Sequence, residues 1–166
     1  MDDFVKSRAL DNLQEIINKR AVELVAFCIM PNHFHLIIKE LEEGRLAVYM
    51  QRVLTAYSKY YNTKYSRSGH VFQGPYQVVH IEDDRQLLHL SAYIHRNPRE
   101  ILRWLRRENE YFWSSYQDFV NKNRWSGLLV PDIILGQFRN NNEYEEFLKT
   151  SPAKAQKEEL EYLNNL

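Results

Sequence analysis

The chain has 166 residues and a mass of 20.0 kDa, enough for one domain with a substantial core. Its 44% hydrophobic and 27% charged residues exclude wholesale disorder, and no apolar run approaches the roughly 18–20 residues that span a bilayer. The single cysteine, Cys28, excludes an internal disulfide, and 22 basic residues cancel 22 acidic ones.

Residues 3–20 place Leu10, Leu13, Ile16 and Ile17 at helical spacing behind the candidate caps Asp2 and Asp3, which predicts a first helix. Residues 22–30 (VELVAFCIM) predict a strand, Pro31-Asn32 a turn, and residues 33–40 (HFHLIIKE) a second strand. The pair is expected to form a hairpin. Between Arg45 and Tyr65 the apolar positions Leu46, Met50, Val53, Leu54, Tyr57 and Tyr61 trace one helical face, while Arg45, Arg52 and Lys59 form a stripe away from it. Residues 70–81 predict a strand interrupted at Gly74-Pro75. Asp83 with Gln86 resembles a capping box, opening a helix through Leu87, Leu88, Leu90 and Ile94 that ends near Pro98. An Arg-rich helix is expected over 98–108, followed by wrapping segments around Trp113–Tyr116 and 119–129. The order is that of an α+β protein, a ferredoxin-like arrangement that lacks only a leading strand. The expected division is a domain over 1–120 and a helical C-terminal extension over 121–166 wrapping it.

The neutral total hides opposed blocks. Residues 44–81 contain Arg45, Arg52, Lys59, Lys64 and Arg67 and no acid, a net +5. Residues 96–107 contain five arginines against Glu100, a net +4. The first block also carries Tyr49, Tyr57, Tyr60, Tyr61, Tyr65, Phe72 and Tyr76. Cations interleaved with rings suit single-stranded nucleic acid, where charge follows phosphate and rings stack on bases. The same pattern also describes an amphipathic helix with core aromatics and solvated bases.

His33 and His35 are two apart on a predicted strand, so they point the same way, opposite Phe34, Leu36 and Ile38. Two imidazoles on one sheet face suit a metal, although chance pairs on a polar face do so too. On the fourth element Tyr93 and Asn97 are one turn apart and share a helix face with His89. A tyrosine beside a metal can act as a nucleophile; equally, Tyr93 can be packing and Asn97 a cap ahead of Pro98. The chain has no phosphate-cradling Gly-rich loop and no G-x-S-x-G, which excludes P-loop ATP chemistry and serine-hydrolase chemistry.

Four segments together resemble the single-tyrosine HUH transposases, and most closely the REP-associated tyrosine transposase branch. They are AFCIMPNHFHLII (26–38), SRSGHVFQGPYQ (66–77), LLHLSAYIHRNP (87–98) and WSSY (113–116), in the family's order. The resemblance implies a ferredoxin-like antiparallel sheet with helices packed on one face, the histidines on its open face and the tyrosine helix against it. It further implies that His33 and His35, with Asn97 as third ligand, bind Mg²⁺ or Mn²⁺. Tyr93 would attack single-stranded DNA near a hairpin and form a 5′-phosphotyrosine without a nucleotide cofactor. Arg45, Arg52, Lys59, Arg67, Arg96 and Arg99 are candidate phosphate contacts, and Phe72, Gln73 and Tyr76 candidate base contacts. The absent leading strand is expected to expose a sheet edge that pairs with another chain or destabilises the domain. Monomer and homodimer are both compatible with this, and a cytoplasmic, nucleoid-associated location with no membrane partner is expected. Two rival readings remain: a DNA-binding or regulatory relative without turnover, and a metallohydrolase using the histidines with Glu40.

Overall fold

The computed structural model describes residues 13–153. Residues 13–18 are helical (α1), and the rest of the first expected helix, with Asp2 and Asp3, lies outside the described residues. The hairpin forms as the alternation predicts: β1 (Val22–Ile29) pairs antiparallel with β2 (Phe34–Glu40). Met30 N–H donates to the His33 carbonyl at 2.8 Å, closing a two-residue loop at Pro31-Asn32. A bulge between Leu24 and Ala26 inserts Val25 as an extra residue. Both faces of β1 are covered, and Val25, Ala26, Phe27 and Cys28 are buried in succession.

The free edge of β1 is closed by the chain itself. Ile29 N–H donates to the Trp113 carbonyl at 2.8 Å and Ser115 N–H to the Phe27 carbonyl at 2.9 Å. Phe27 N–H finds the Ser115 hydroxyl at 2.8 Å, and further along Val130 N–H donates to the Leu24 carbonyl at 2.8 Å. The expected exposed edge is therefore absent on this side. The WSSY stretch is a wrapping segment, as its position suggested.

Helix α2 (Arg45–Lys64) follows the predicted boundaries, yet only Met50 of its apolar face is fully buried. Val53 and Tyr57 remain exposed. Residues 70–81 form no strand. Pro75 has no N–H to give a ladder, and the segment is tethered instead by Asn62, whose amide donates to the Gly69 carbonyl at 2.9 Å. Helix α3 (Asp84–His95) starts on the expected cap: Asp83 accepts from Gln86 N–H, while the Gln86 amide oxygen accepts from Glu82 N–H, both at 2.7 Å.

The expected 98–108 helix breaks into three short 3₁₀ turns, Asn97–Glu100, Leu102–Trp104 and Glu108–Glu110. Arg106 sits at φ +64°, a left-handed conformation that no right-handed helix continues through. Beyond it lie α4 (Tyr116–Val120), α5 (Asp132–Leu135) and α6 (Asn141–Thr150), the last capped by Asn140. The C-terminal portion is helical, as expected, and the class is α+β with a two-stranded antiparallel sheet among the described residues. Ile134, Tyr144 and Leu148 of this portion share one core with Cys28, Ile37, Tyr93 and Ile94.

His95 ties these parts together. It is fully buried, with Nδ1 2.7 Å from the Tyr144 hydroxyl and Nε2 2.8 Å from that of Ser115. Loss of hydration pushes its pKa from 6.5 down to about 3, against the opposing pull of the Asp118 charge. The native ring is neutral, whereas the unfolded chain takes up a proton near pH 6.5. This contribution to stability is complete above pH 6.5 and is lost as pH falls from there towards 3. The expected slope is up to about 1.4 kcal/mol per pH unit. Urea midpoints should fall between neutral pH and pH 5, and a flat midpoint across that range would contradict this account.

Candidate active site

The tight loop and the two-residue period of β2 place His33 and His35 at the hairpin end on one face, as predicted. Their rings meet edge-on with centroids 5.0 Å apart. Asn32 Oδ1, an acceptor only, lies 2.8 Å from His33 Nδ1, so that nitrogen carries the proton and the Nε2 lone pair is available for a ligand. Cys28 lies opposite His35 and Ala26 opposite Ile37, so the histidines share a face with these core residues. That face is the one α3 packs against. The resemblance placed them on an open face; instead they are half-buried at the rim of the core.

Helix α3 brings Tyr93 to the same place. Its ring meets that of His35 edge-on at 5.4 Å, across nearly sixty residues of chain, and only 3% of its surface is exposed. Asn97 follows one turn later, fully buried, in the 3₁₀ turn that succeeds α3. Neither its Oδ1 nor its Nδ2 has a hydrogen-bond partner among the described residues. The capping role is thus excluded: Asn97 makes no side-chain cap, and the turn starts from Arg96 without one. A buried amide group left unpaired costs about 1–3 kcal/mol, and binding a cation would offset the part of that cost that falls on Oδ1.

The residues present fit a divalent ion in this sense: two imidazoles and an amide oxygen, the last without another use. Imidazole ligands favour Mn²⁺ over Mg²⁺ in such a set. Among the described residues no group of three His, Cys, Asp or Glu side chains comes together. Glu40 in particular is turned away. Its position on β2 puts it on the face opposite His33 and His35, and its carboxylate accepts from Leu46 N–H at 2.7 Å at the start of α2.

The candidate DNA contacts divide. Arg52, Lys59 and Arg67 are exposed along and just beyond α2, with Arg67 5.6 Å over the Tyr61 ring. Arg45 is exposed but paired with Glu42 at 2.8 Å. Phe72 is half-buried, with its ring 6.1 Å from Phe34 and 5.7 Å from Tyr57. Gln73 lies with Leu54, Ser58 and His70 along an open groove of about 730 Å³. Tyr76 is half-buried. Arg96 and Arg99 make contacts within the fold: Arg96 donates to the Ser151 carbonyl, and Arg99 pairs with Glu108 at 2.9 Å. Sequence reasoning did not reach the roles of His95, Ser115 and Tyr144, whose hydrogen bonds join distant segments. The buried polar pair Ser114-Ser115 in WSSY was the only local sign of them.

No helix among the described residues is long and apolar enough to cross a membrane. Comparison with curated proteins gives no match, and neither does comparison with solved structures. A family model described as "transposase IS200 like" matches residues 1–97, a span that contains the hairpin histidines, α3 and Asn97. The chain belongs to the IS200-like transposase family.

Proposed function

We propose that this transposase-family chain cuts and rejoins single-stranded DNA through Tyr93, with Mg²⁺ or Mn²⁺ held by His33, His35 and Asn97. The observation that carries the reading is the convergence of His33, His35 and the Tyr93 ring within 5.0 and 5.4 Å contacts. The Tyr93 oxygen attacks the scissile phosphorus as its phenolic proton leaves. The phosphorus bond to the 3′-side oxygen breaks, and that oxygen takes up a proton. The products are a 5′-phosphotyrosine and a free 3′-hydroxyl, and reversal on a new 3′-hydroxyl rejoins the strand. A bound divalent ion would polarise the phosphate and offset its developing charge. Hairpin-bearing single strands are the proposed substrate, with Arg52, Lys59 and Arg67 as phosphate contacts. Phe72, Gln73 and Tyr76 are the proposed base contacts, and Arg45 a further phosphate contact once it leaves Glu42.

The test is to incubate the full chain with hairpin-bearing single-stranded DNA and Mn²⁺, then denature and look for a protein–DNA adduct. An adduct supports the proposal. The 3% exposure of Tyr93 favours one second reading, a DNA-binding or regulatory relative without turnover. Binding without an adduct would select that reading. His33→Ala is expected to lower metal-dependent cleavage by about 10²-fold or more while leaving DNA affinity within about two-fold. Parallel loss of cleavage and binding would assign His33 a structural role instead.

A further inference from the structure

The sheet face opposite the histidines carries an exposed aromatic row that the assigned contacts only begin. In the strand register Ile29 lies opposite Phe34. On the other side of β1, the antiparallel bridge between Cys28 and Ser114 sets Ile29 opposite Trp113. Residues opposed in this way share a face, so Trp113, Ile29 and Phe34 stand side by side across roughly 10 Å. The row continues through ring contacts: Phe34 to Phe72 at 6.1 Å, and Phe72 to Tyr57 at 5.7 Å on α2.

Trp113, Ile29 and Tyr57 of this row are exposed, while Phe34 and Phe72 are half-buried. Trp113 is 52% exposed, Ile29 46% and Tyr57 47%. The mounting is nonetheless rigid. Trp113 is held by the Ile29 N–H bond at 2.8 Å, and the Tyr111 hydroxyl donates to the Ile29 carbonyl at 2.8 Å. An ordered, solvent-facing tryptophan in a continuous apolar row marks a binding surface.

We infer that this row is a stacking platform for unpaired bases of single-stranded DNA, with Trp113 as its outer anchor. Charge selects this occupant over another protein. The α2 end of the row lies in the acid-free 44–81 stretch, where Arg67 stands 5.6 Å over Tyr61 and Lys64 5.5 Å over Tyr65. At the Trp113 end, Arg124 is already paired with Asp118 at 2.8 Å. Stacking therefore dominates there, and phosphate attraction dominates at α2. Ile29 and Phe34 are followed and preceded by Met30 and His33 at the hairpin end. A strand leaving the platform over that end arrives at the histidine side. The inference rests on the proposed function for its substrate, and adds Trp113, which lies beyond the residues 1–97 that the family model matches.

The probe is a fluorescein-labelled oligothymidylate of about 20 nucleotides, bound to the full chain in EDTA and followed by anisotropy across a salt series. Trp113→Ala should weaken binding about ten-fold without changing the slope of log affinity against log salt. Trp113→Phe, which keeps a ring, should stay within about three-fold of the parent. Arg67→Ala should instead reduce the slope. Affinity for Trp113→Ala within about two-fold of the parent would overturn the inference. So would a change of oligomeric state in that variant with DNA affinity intact, which would assign the row to a contact between protein copies. The adduct assay separates the two readings. An adduct with no Trp113 effect removes the platform alone; a ten-fold Trp113 effect with no adduct removes the tyrosine chemistry alone.

Discussion

Replacing Tyr93 by phenylalanine is expected to abolish the covalent protein–DNA adduct and to lower strand cleavage by at least about 10³-fold. The substitution removes only the hydroxyl. The ring that meets His35 at 5.4 Å and lies in the shared core is retained, so the fold should survive. The loss of stability should not exceed the roughly 1–2 kcal/mol of a deleted hydrogen bond. DNA affinity should be nearly unchanged, since the proposed phosphate and base contacts lie elsewhere. The measurement is a denaturing gel of the adduct beside an anisotropy titration of the same sample. Cleavage that survives in Tyr93→Phe would remove Tyr93 as the nucleophile. It would point to water as the attacking group, in a reaction that leaves no protein on the DNA.

The second large effect concerns stability. Asp118→Ala should cost about 3–5 kcal/mol, because it strips a buried ion pair of one member. The Asp118 side chain has no exposed surface, and its Oδ1 accepts from Arg124 N–H at 2.8 Å and Nε at 2.9 Å. Oδ2 accepts from Arg124 Nη2 at 2.8 Å and from Trp125 Nε1 at 3.1 Å. Arg124 is itself 26% exposed, so water can solvate part of the abandoned guanidinium, which places the cost at the lower end of that range. A drop in Tm on the order of 10 °C follows for a chain of this size. The effect should also be local. Arg124 donates to the carbonyls of Phe112 and Ser114, which flank Trp113 in the segment that closes β1. Amide exchange at Ile29 and Ser115 should rise in the variant more than exchange within α3. A Tm within 2–3 °C of the parent would show that the pair contributes little.

Much of the geometry of the candidate site was legible because its signals are local. Alternation over 33–40 put both histidines on one face whatever else the chain did. The Asp83–Gln86 spacing opened α3 where it opens, and the helical period then set Tyr93 one turn before Asn97. What these residues face was less legible. The apolar positions of α2 trace one face that suits either core or stacking, and Val53 and Tyr57 are exposed, because hydrophobic spacing marks a face without saying what covers it. The 70–81 stretch has the composition of a strand, but a strand exists only where an edge accepts it, and Pro75 gives no donor. The arginine-rich stretch after Pro98 has the composition of a helix, but the extended Ile101 and the left-handed Arg106 break it into short turns.

The sequence by itself determined the hairpin, the two long helices, the acid-free block, the shared face of His33 and His35, and the spacing of Tyr93 one turn before Asn97. Each follows from contacts or periods within a few residues, where side-chain direction is set by the backbone alone. Only the tertiary structure decided that residues 113–115 and 130 close the edge of β1, and that His95 joins Ser115 to Tyr144. It also decided that Arg96 bonds to the Ser151 carbonyl, and that Trp113 extends an aromatic row across the face behind the histidines. These pairings join residues tens of positions apart. They depend on which distant groups satisfy each buried donor and acceptor once the core has closed, a choice that no local pattern encodes.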